Sequence, residues 1–264
     1  MKGVQTMISQ MSFAERSYLF AQLANIAYQP EEAARAAAQE LGFTETEFYD
    51  KRGAQSYRFM NANDIVIACR GTEPTQLNDI SADLKALKVA AETIGRVHMG
   101  FKSEVDELWP MVKEDLQAVG KTRTAWFTGH SLGAAMTTIM ANRCHCDPSM
   151  PDIQEIYTYG SPRVGNKSYV NTFPVVHHRW RNNNDIVTTV PLAIMGFRHD
   201  GTLHYLNSYG NVRNPNGWQL VKDKLRGMWT GLKEGKIDSF SDHSMTQYCA
   251  HLKNYAEGRE NPQK

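Results

Sequence analysis

The pentapeptide Gly129-His130-Ser131-Leu132-Gly133 constrains this chain more than any other feature. A G-x-S-x-G run arises easily by chance, and its serine can do no more than cap a helix. The setting separates the two readings. Residues 124–128 ahead of it read as a strand, and residues 131–143 behind it, small at the start, read as a helix. A chain that passes from strand to helix this fast has to turn sharply. Glycines at 129 and 133 let strand and helix approach without side-chain clashes. The serine is then held in strained backbone, with its hydroxyl exposed at the C-terminal edge of a sheet. The helix N-terminus beneath it favours developing negative charge. Neighbouring residues on such a turn point in different directions, so His130 is read as packing the elbow.

The rest of the pattern supplies the sheet. Residues 12–28 read as a helix, with Phe13, Leu19, Phe20, Leu23 and Ala27 at helical spacings and Ser12 and Glu15 as a capping pair. Pro30 starts an alanine-rich helix that stops at Gly42. Strands are expected at 56–61 and 64–69, joined at Asn63-Asp64. The second is apolar on successive residues, as in the middle of a sheet. A helical stretch within 72–95, a helix at 100–119, a strand at 153–159, a short helix at 166–172 and a strand at 176–182 follow. Weaker strands at 203–208 and 211–213 precede an amphipathic helix over 242–256. The Gly/Asn/Pro-rich patch at 210–217 reads as a surface loop. Strands alternating with helices predict an α/β fold, a mostly parallel sheet covered on both faces. At 264 residues and 41% hydrophobic, the chain suits one domain, with residues 1–50 as helices packed on it.

Charge excludes some roles. With 29 basic and 28 acidic residues, the net charge of +1 gives no reason for nucleic acid or an anionic membrane as an obligatory partner. No stretch is apolar for long enough to span a bilayer. Gln5, Ser9, Gln10, Glu15 and Arg16 interrupt the N-terminus before any apolar run, so a cytoplasmic chain is expected, although a mature secreted form reads the same. Cys144 and Cys146 flank His145, but no second pair at a zinc-site spacing accompanies them. They read as thiols at a helix end and Cys69 as a small core residue, and neither metal nor organic cofactor is expected.

A serine hydroxyl needs a base, and the base needs a group to hold its tautomer. On strand–turn–helix elbows of this kind the chain order is serine, acid, histidine. His243, in Asp242-His243-Ser244 at the start of the last helix, is the candidate base; His199 and His204 are the alternatives. Asp185, on a loop after the strand at 176–182, is the candidate acid, with Asp200 and Asp242 as rivals. Asp242 reads as the cap of the last helix.

Several motifs stand in order beside these. Cys69-Arg70-Gly71-Thr72, Val97-His98-Met99-Gly100-Phe101, Thr128 to Gly133, Tyr159-Gly160-Ser161-Pro162-Arg163-Val164-Gly165-Asn166 and Asn184-Asp185-Ile186-Val187 together resemble the class 3 lipases, fungal triacylglycerol lipases and their bacterial relatives. The resemblance runs from about residue 56 to 250. It departs at Ala134 where a second glycine is frequent, at Cys69 where an aromatic is usual, and at Ile80 where fungal members often carry Trp. It implies an α/β-hydrolase fold and cleavage of acyl esters such as acylglycerols through an acyl-enzyme. Ser131, Asp185 and His243 would form the triad. The Thr72 and Leu132 N–H groups would form the oxyanion hole, and the segment at 74–96, with Leu77 and Ile80, a lid touching a lipid interface. His98 and residues 160–166 read as scaffold. A phospholipase A1 or acyltransferase using the same triad, a thioesterase or peptidase, and a non-catalytic interaction module are the competing expectations.

Overall fold

A computed structural model describes residues 7–71, 87–213 and 242–261. Helix α1 (Phe13–Ile26) opens on a reciprocal cap: Ser12 Oγ accepts from the Glu15 N–H at 3.3 Å, and the Ser12 N–H donates to Glu15 Oε2 at 2.8 Å. Helix α2 (Glu31–Glu40) follows, with Pro30 as its N-cap. Strands β1 (Glu45–Lys51), β2 (Ala54–Met60) and β3 (Asp64–Cys69) then run antiparallel to one another in turn. A separate hairpin of β4 (Lys88–Ala90) and β5 (Arg96–His98) leads into α3 (Met99–Val119). Next come β6 (Thr124–His130), α4 (Leu132–His145), β7 (Ile153–Tyr159), the one-turn α5 (Lys167–Val170) and β8 (Val176–Asn182). Strands β9 (Thr202–Leu206) and β10 (Val212–Arg213) precede α6 (Met245–Ala256).

The sheet runs β1-β2-β3-β6-β7-β8-β9-β10, parallel from β3 through β9 and antiparallel at its edges. Its centre is apolar on both faces, as the sequence of β3 requires. Ile65 and Ile67 pack in one layer with Val105, Leu108 and Ile139 of α3 and α4. Val66 and Ala68 pack in the other with Phe20, Leu23, Tyr248 and Leu252 of α1 and α6. Burial of each large apolar side chain here contributes about 1.5–3 kcal/mol. Parallel order brings the C-terminal ends of β6, β7 and β8 to one edge, where the elbow opens.

Three expectations are corrected. Residues 45–51 are a strand, not part of the N-terminal helices. Thr46 and Tyr49 turn inward while Glu45, Glu47, Asp50 and Lys51 leave the edge charged, which suits an outermost strand. Residues 88–95, the end of the stretch read as loop and helix, belong instead to the β4–β5 hairpin, which runs on to His98. The turn before β3 is built on Asn61, whose Oδ1 accepts from the Asn63 and Asp64 N–H groups, both at 2.9 Å. Thr72, Leu77, Ile80, residues 74–86 of the expected lid and residues 214–217 of the surface patch lie outside the described residues.

Candidate active site

The elbow is tight because two glycines leave it room. A Cβ on Gly129 would stand 2.5 Å from Gly133 O, and one on Gly133 would run into the backbone at the end of β3, at Cys69 O and Arg70 C. Ser131, at φ 59° and ψ −131°, sits in a region that L side chains enter only when the surroundings force it. Its N–H is held by Tyr159 O at 3.0 Å. Leu132 opens α4, so its N–H has no intrahelical acceptor and points to the same edge.

His243 and Asp185 reach this edge from opposite directions. Asp185 follows β8 through a turn, and His243 precedes α6. Both Asp185 carboxylate oxygens lie 2.9 Å from His243 Nδ1. All three groups are buried: Ser131 and His243 are 1% exposed and Asp185 is fully enclosed. A carboxylate only accepts, so Nδ1 carries the proton and the lone pair falls on Nε2. Among the described residues neither Ser131 Oγ nor His243 Nε2 has a hydrogen-bond partner. Two buried polar atoms left unsatisfied are costly, and such vacancies concentrate where a reacting group is to be bound.

Further residues hold this arrangement. The Val187 N–H donates to Asp185 Oδ1 at 3.0 Å, and Tyr248 Oη donates to Oδ2 at 2.7 Å while accepting from the Asn182 N–H at 2.8 Å. Burial, and then the Asp185 charge, push the Tyr248 phenol well above its usual range, so it stays a donor. His130 stacks on His243 with ring centroids 4.4 Å apart. Its Nε2 donates to His243 O at 2.8 Å, which leaves Nδ1 to accept from Tyr28 Oη at 2.8 Å. Burial, and then the neighbouring His243, hold His130 well below the usual imidazole value. With both nitrogens engaged, it packs the elbow and positions His243.

The rivals sit elsewhere. Asp200 receives His177 Nδ1 at 2.7 Å. His204 Nε2 faces His178 Nδ1 at 3.0 Å, and His199 Nε2 donates to Thr188 O at 2.9 Å. Asp242 does not cap α6; Ser244 is the N-cap. Asp242 instead accepts from Asn183 Nδ2 at 3.0 Å and the Asn184 N–H at 3.1 Å, pinning the acid's loop to the base's. His98 caps α3, its Nδ1 accepting from the Phe101 N–H at 3.4 Å.

Gly160, read from the sequence as scaffold, belongs to the site. Its φ is +58°, and a Cβ there would lie 2.6 Å from Asp185 Oδ2 and 2.8 Å from His243 Nδ1. The motif around it was visible in the sequence; the approach of two side chains from distant segments was not. Thr72 lies outside the described residues.

Residues 66–195 match the family described as Lipase (class 3). This segment belongs to the class 3 lipase family. Toxin TseL of Vibrio cholerae is 26% identical over 95% of this chain and 51% of its own length. A secreted mono- and diacylglycerol lipase of Fusarium solani is 34% identical over 42% of this chain and 34% of its own. The lipase of Rhizopus niveus is 33% identical over 54% of this chain and 39% of its own. The chain thus spans about half or less of the length of these relatives. Among solved structures, Rhizomucor miehei triacylglyceride lipase superposes with a TM-score of 0.63 at 22% identity, covering 74% of this chain and 80% of that one. That likeness shows the α/β-hydrolase fold, and the class 3 segment contributes its parallel core and the elbow.

Proposed function

We propose that the chain is a serine ester hydrolase in which Ser131, His243 and Asp185 form the catalytic triad. The observation that carries this is the pair of unpartnered buried atoms, Ser131 Oγ and His243 Nε2, with Nδ1 of the same imidazole fixed on Asp185. His243 Nε2 takes the hydroxyl proton as Oγ attacks an acyl ester carbonyl. The same proton passes to the departing alcohol, an acyl-enzyme forms, and water completes turnover by the reverse route. The Leu132 N–H at the start of α4, together with the Thr72 N–H, stabilises the oxyanion; such donors contribute about 3 kcal/mol each. No cofactor enters this chemistry.

Class 3 relatives described as acylglycerol lipases support an acylglycerol substrate, and a triacylglycerol lipase of the same fold is described as having a serine protease triad as its catalytic centre. Contact with a lipid interface is supported by exposed apolar residues just past the acid: Ile186, Leu192, Met195 and Ile194, the last 92% exposed. No helix of the described residues is long and apolar enough to cross a membrane. Of the expected lid at 74–96, residues 88–96 belong to the β4–β5 hairpin, and a covering role is proposed only for 74–86, outside the described residues. A lid there predicts a jump in rate when substrate passes from monomers to emulsion, and a smooth saturation curve counts against it.

The reading is tested by an organophosphorus probe. Intact-mass analysis should show one adduct on the folded chain and none on Ser131→Ala. A folded chain that never labels favours the non-catalytic module instead.

A further inference from the structure

Residues 160–213 carry six Lys or Arg against two acids, in a chain whose net charge is +1. Both acids are committed, Asp185 to His243 at 2.9 Å and Asp200 to His177 at 2.7 Å. Arg163, Arg179, Arg181 and Arg198 have no carboxylate within 4.0 Å among the described residues. Arg179 is only 7% exposed, and its Nε has no acceptor among the described residues.

These groups converge beside the acid. Strand alternation puts His177, Arg179 and Arg181 on one face of β8, opposite Trp180. Arg181 Nε donates to Asn183 O at 3.2 Å, two residues before Asp185. Arg163 Nη1 donates to Thr189 O and to Pro191 O, the latter at 2.9 Å, while His199 holds Thr188 O. Carbonyls position Arg163 and Arg181, and the charge of Asp200 reaches Arg179 without contact and offsets only part of its burial. The groups also feel one another. Burial, then Arg181, lower Arg179 to about 10. Burial, then Arg179 and Arg163, lower His199 to about 2.

A buried guanidinium without a counter-charge is unfavourable, and a group of them more so, unless an anion completes it. Planar guanidinium forks match the oxygens of phosphate, and more than one fork can share the oxygens that a phosphodiester or free phosphate leaves unesterified. The exposed Ile186, Leu192 and Ile194 stand in the same stretch, so the surroundings join cations to apolar surface.

We propose that Arg179 and Arg181, with Arg163, form an anion subsite next to Asp185 that binds the phosphate group of an acyl ester substrate. A glycerophospholipid headgroup and free phosphate share this chemistry. The subsite deepens the ester-hydrolase reading, and its hydrolysis arm rests on that reading; its binding arm does not.

The binding arm titrates inorganic phosphate into the full Ser131→Ala chain by calorimetry. Binding is expected, weakened by about tenfold in Ser131→Ala/Arg181→Gln, as loss of a hydrogen bond to a charged group implies. Arg179→Met in the same background should weaken it further; circular dichroism checks its fold, and Arg181→Gln carries the test should Arg179→Met unfold. The hydrolysis arm compares diacyl phosphatidylglycerol with diacylglycerol in the same neutral detergent micelles. Arg181→Gln should lower the ratio of their kcat/KM values by about tenfold, a ratio in which any effect on the chemistry common to both esters cancels. Phosphate binding lost in the variant with an unchanged ratio upholds the subsite and assigns it to free phosphate. A chain that hydrolyses no ester but binds phosphate through Arg181 upholds the subsite while the hydrolase reading fails. A folded chain that binds no phosphate, with a ratio indifferent to Arg181, overturns the proposal.

Discussion

Gly160→Ala separates a glycine that makes room for the triad from one that merely turns the chain. At φ +58° an alanine pays about 1–2 kcal/mol in backbone strain. Its Cβ would begin 2.6 Å from Asp185 Oδ2 and 2.8 Å from His243 Cε1 and Nδ1, where ordinary contact starts at 3.4 Å. Carboxylate and imidazole therefore have to withdraw by about 0.6–0.8 Å, close to the ångström-scale misplacement that costs about 100-fold in rate. Neither group can retreat freely, because Tyr248 Oη and the Val187 N–H hold Asp185 while His130 stacks on His243. The expected result is a fall in kcat of about 10–100-fold, or about 1.4–2.7 kcal/mol, with KM nearly unchanged. The assay is steady-state hydrolysis of p-nitrophenyl butyrate beside a thermal melt. Gly53→Ala is the control: at φ +88°, with nothing within 4 Å of its Cβ, it carries backbone strain without a clash. The melting temperature should fall in both, by about 2–4 °C per kcal/mol, and activity only in Gly160→Ala. If Gly160→Ala turns over within a factor of about two of Gly53→Ala, the account of Gly160 is wrong.

Three further outcomes follow from the same geometry. Ser131→Gly relieves the strain at φ 59° and should raise the unfolding free energy measured in urea by about 1 kcal/mol, net of glycine's greater unfolded freedom, while abolishing hydrolysis. Tyr248→Phe removes the donor to Asp185 and leaves the buried Asn182 N–H without an acceptor; unfolding in urea should show a loss of about 1–3 kcal/mol, with a lower kcat. Stability should also fall on the acid side. His199, near 2, and His204, near 4, sit below the ordinary imidazole value of 6.5, and burial lowers His130 as well. The unfolded chain therefore binds more protons once pH drops below about 6.5, so stability present at pH 7 and above declines through pH 6 and 5. Thermal midpoints flat between pH 7 and pH 5 would refute this.

The sequence carried the sheet where burial was two-sided and the cap where it was local. β3 is apolar on successive residues, and Ser12 with Glu15 closes within one helical turn. β1 was hidden because an outermost strand keeps Glu45, Glu47, Asp50 and Lys51 in water and shows little apolar alternation. The β4–β5 hairpin has three residues per strand, too few for a period to register. The positions of Ser131, Asp185 and His243 could be nominated from chain order and element ends. Their supports could not. Tyr248 meets Asp185 across 63 residues, Asp242 meets Asn183 across 59, and Gly160 matters for what approaches it, not for its own turn. The arginines of β8 belong to no motif in the sequence; only the fold shows that Asp185 and Asp200 are engaged by His243 and His177.

The most direct test of the central claim is hydrolysis of p-nitrophenyl esters, from two-carbon to sixteen-carbon chains, by wild type and by Ser131→Ala. The account predicts turnover by wild type and none above the uncatalysed rate by the folded variant, with His243→Ala nearly as low because triad members act as a unit. Equal rates for wild type and Ser131→Ala would contradict it.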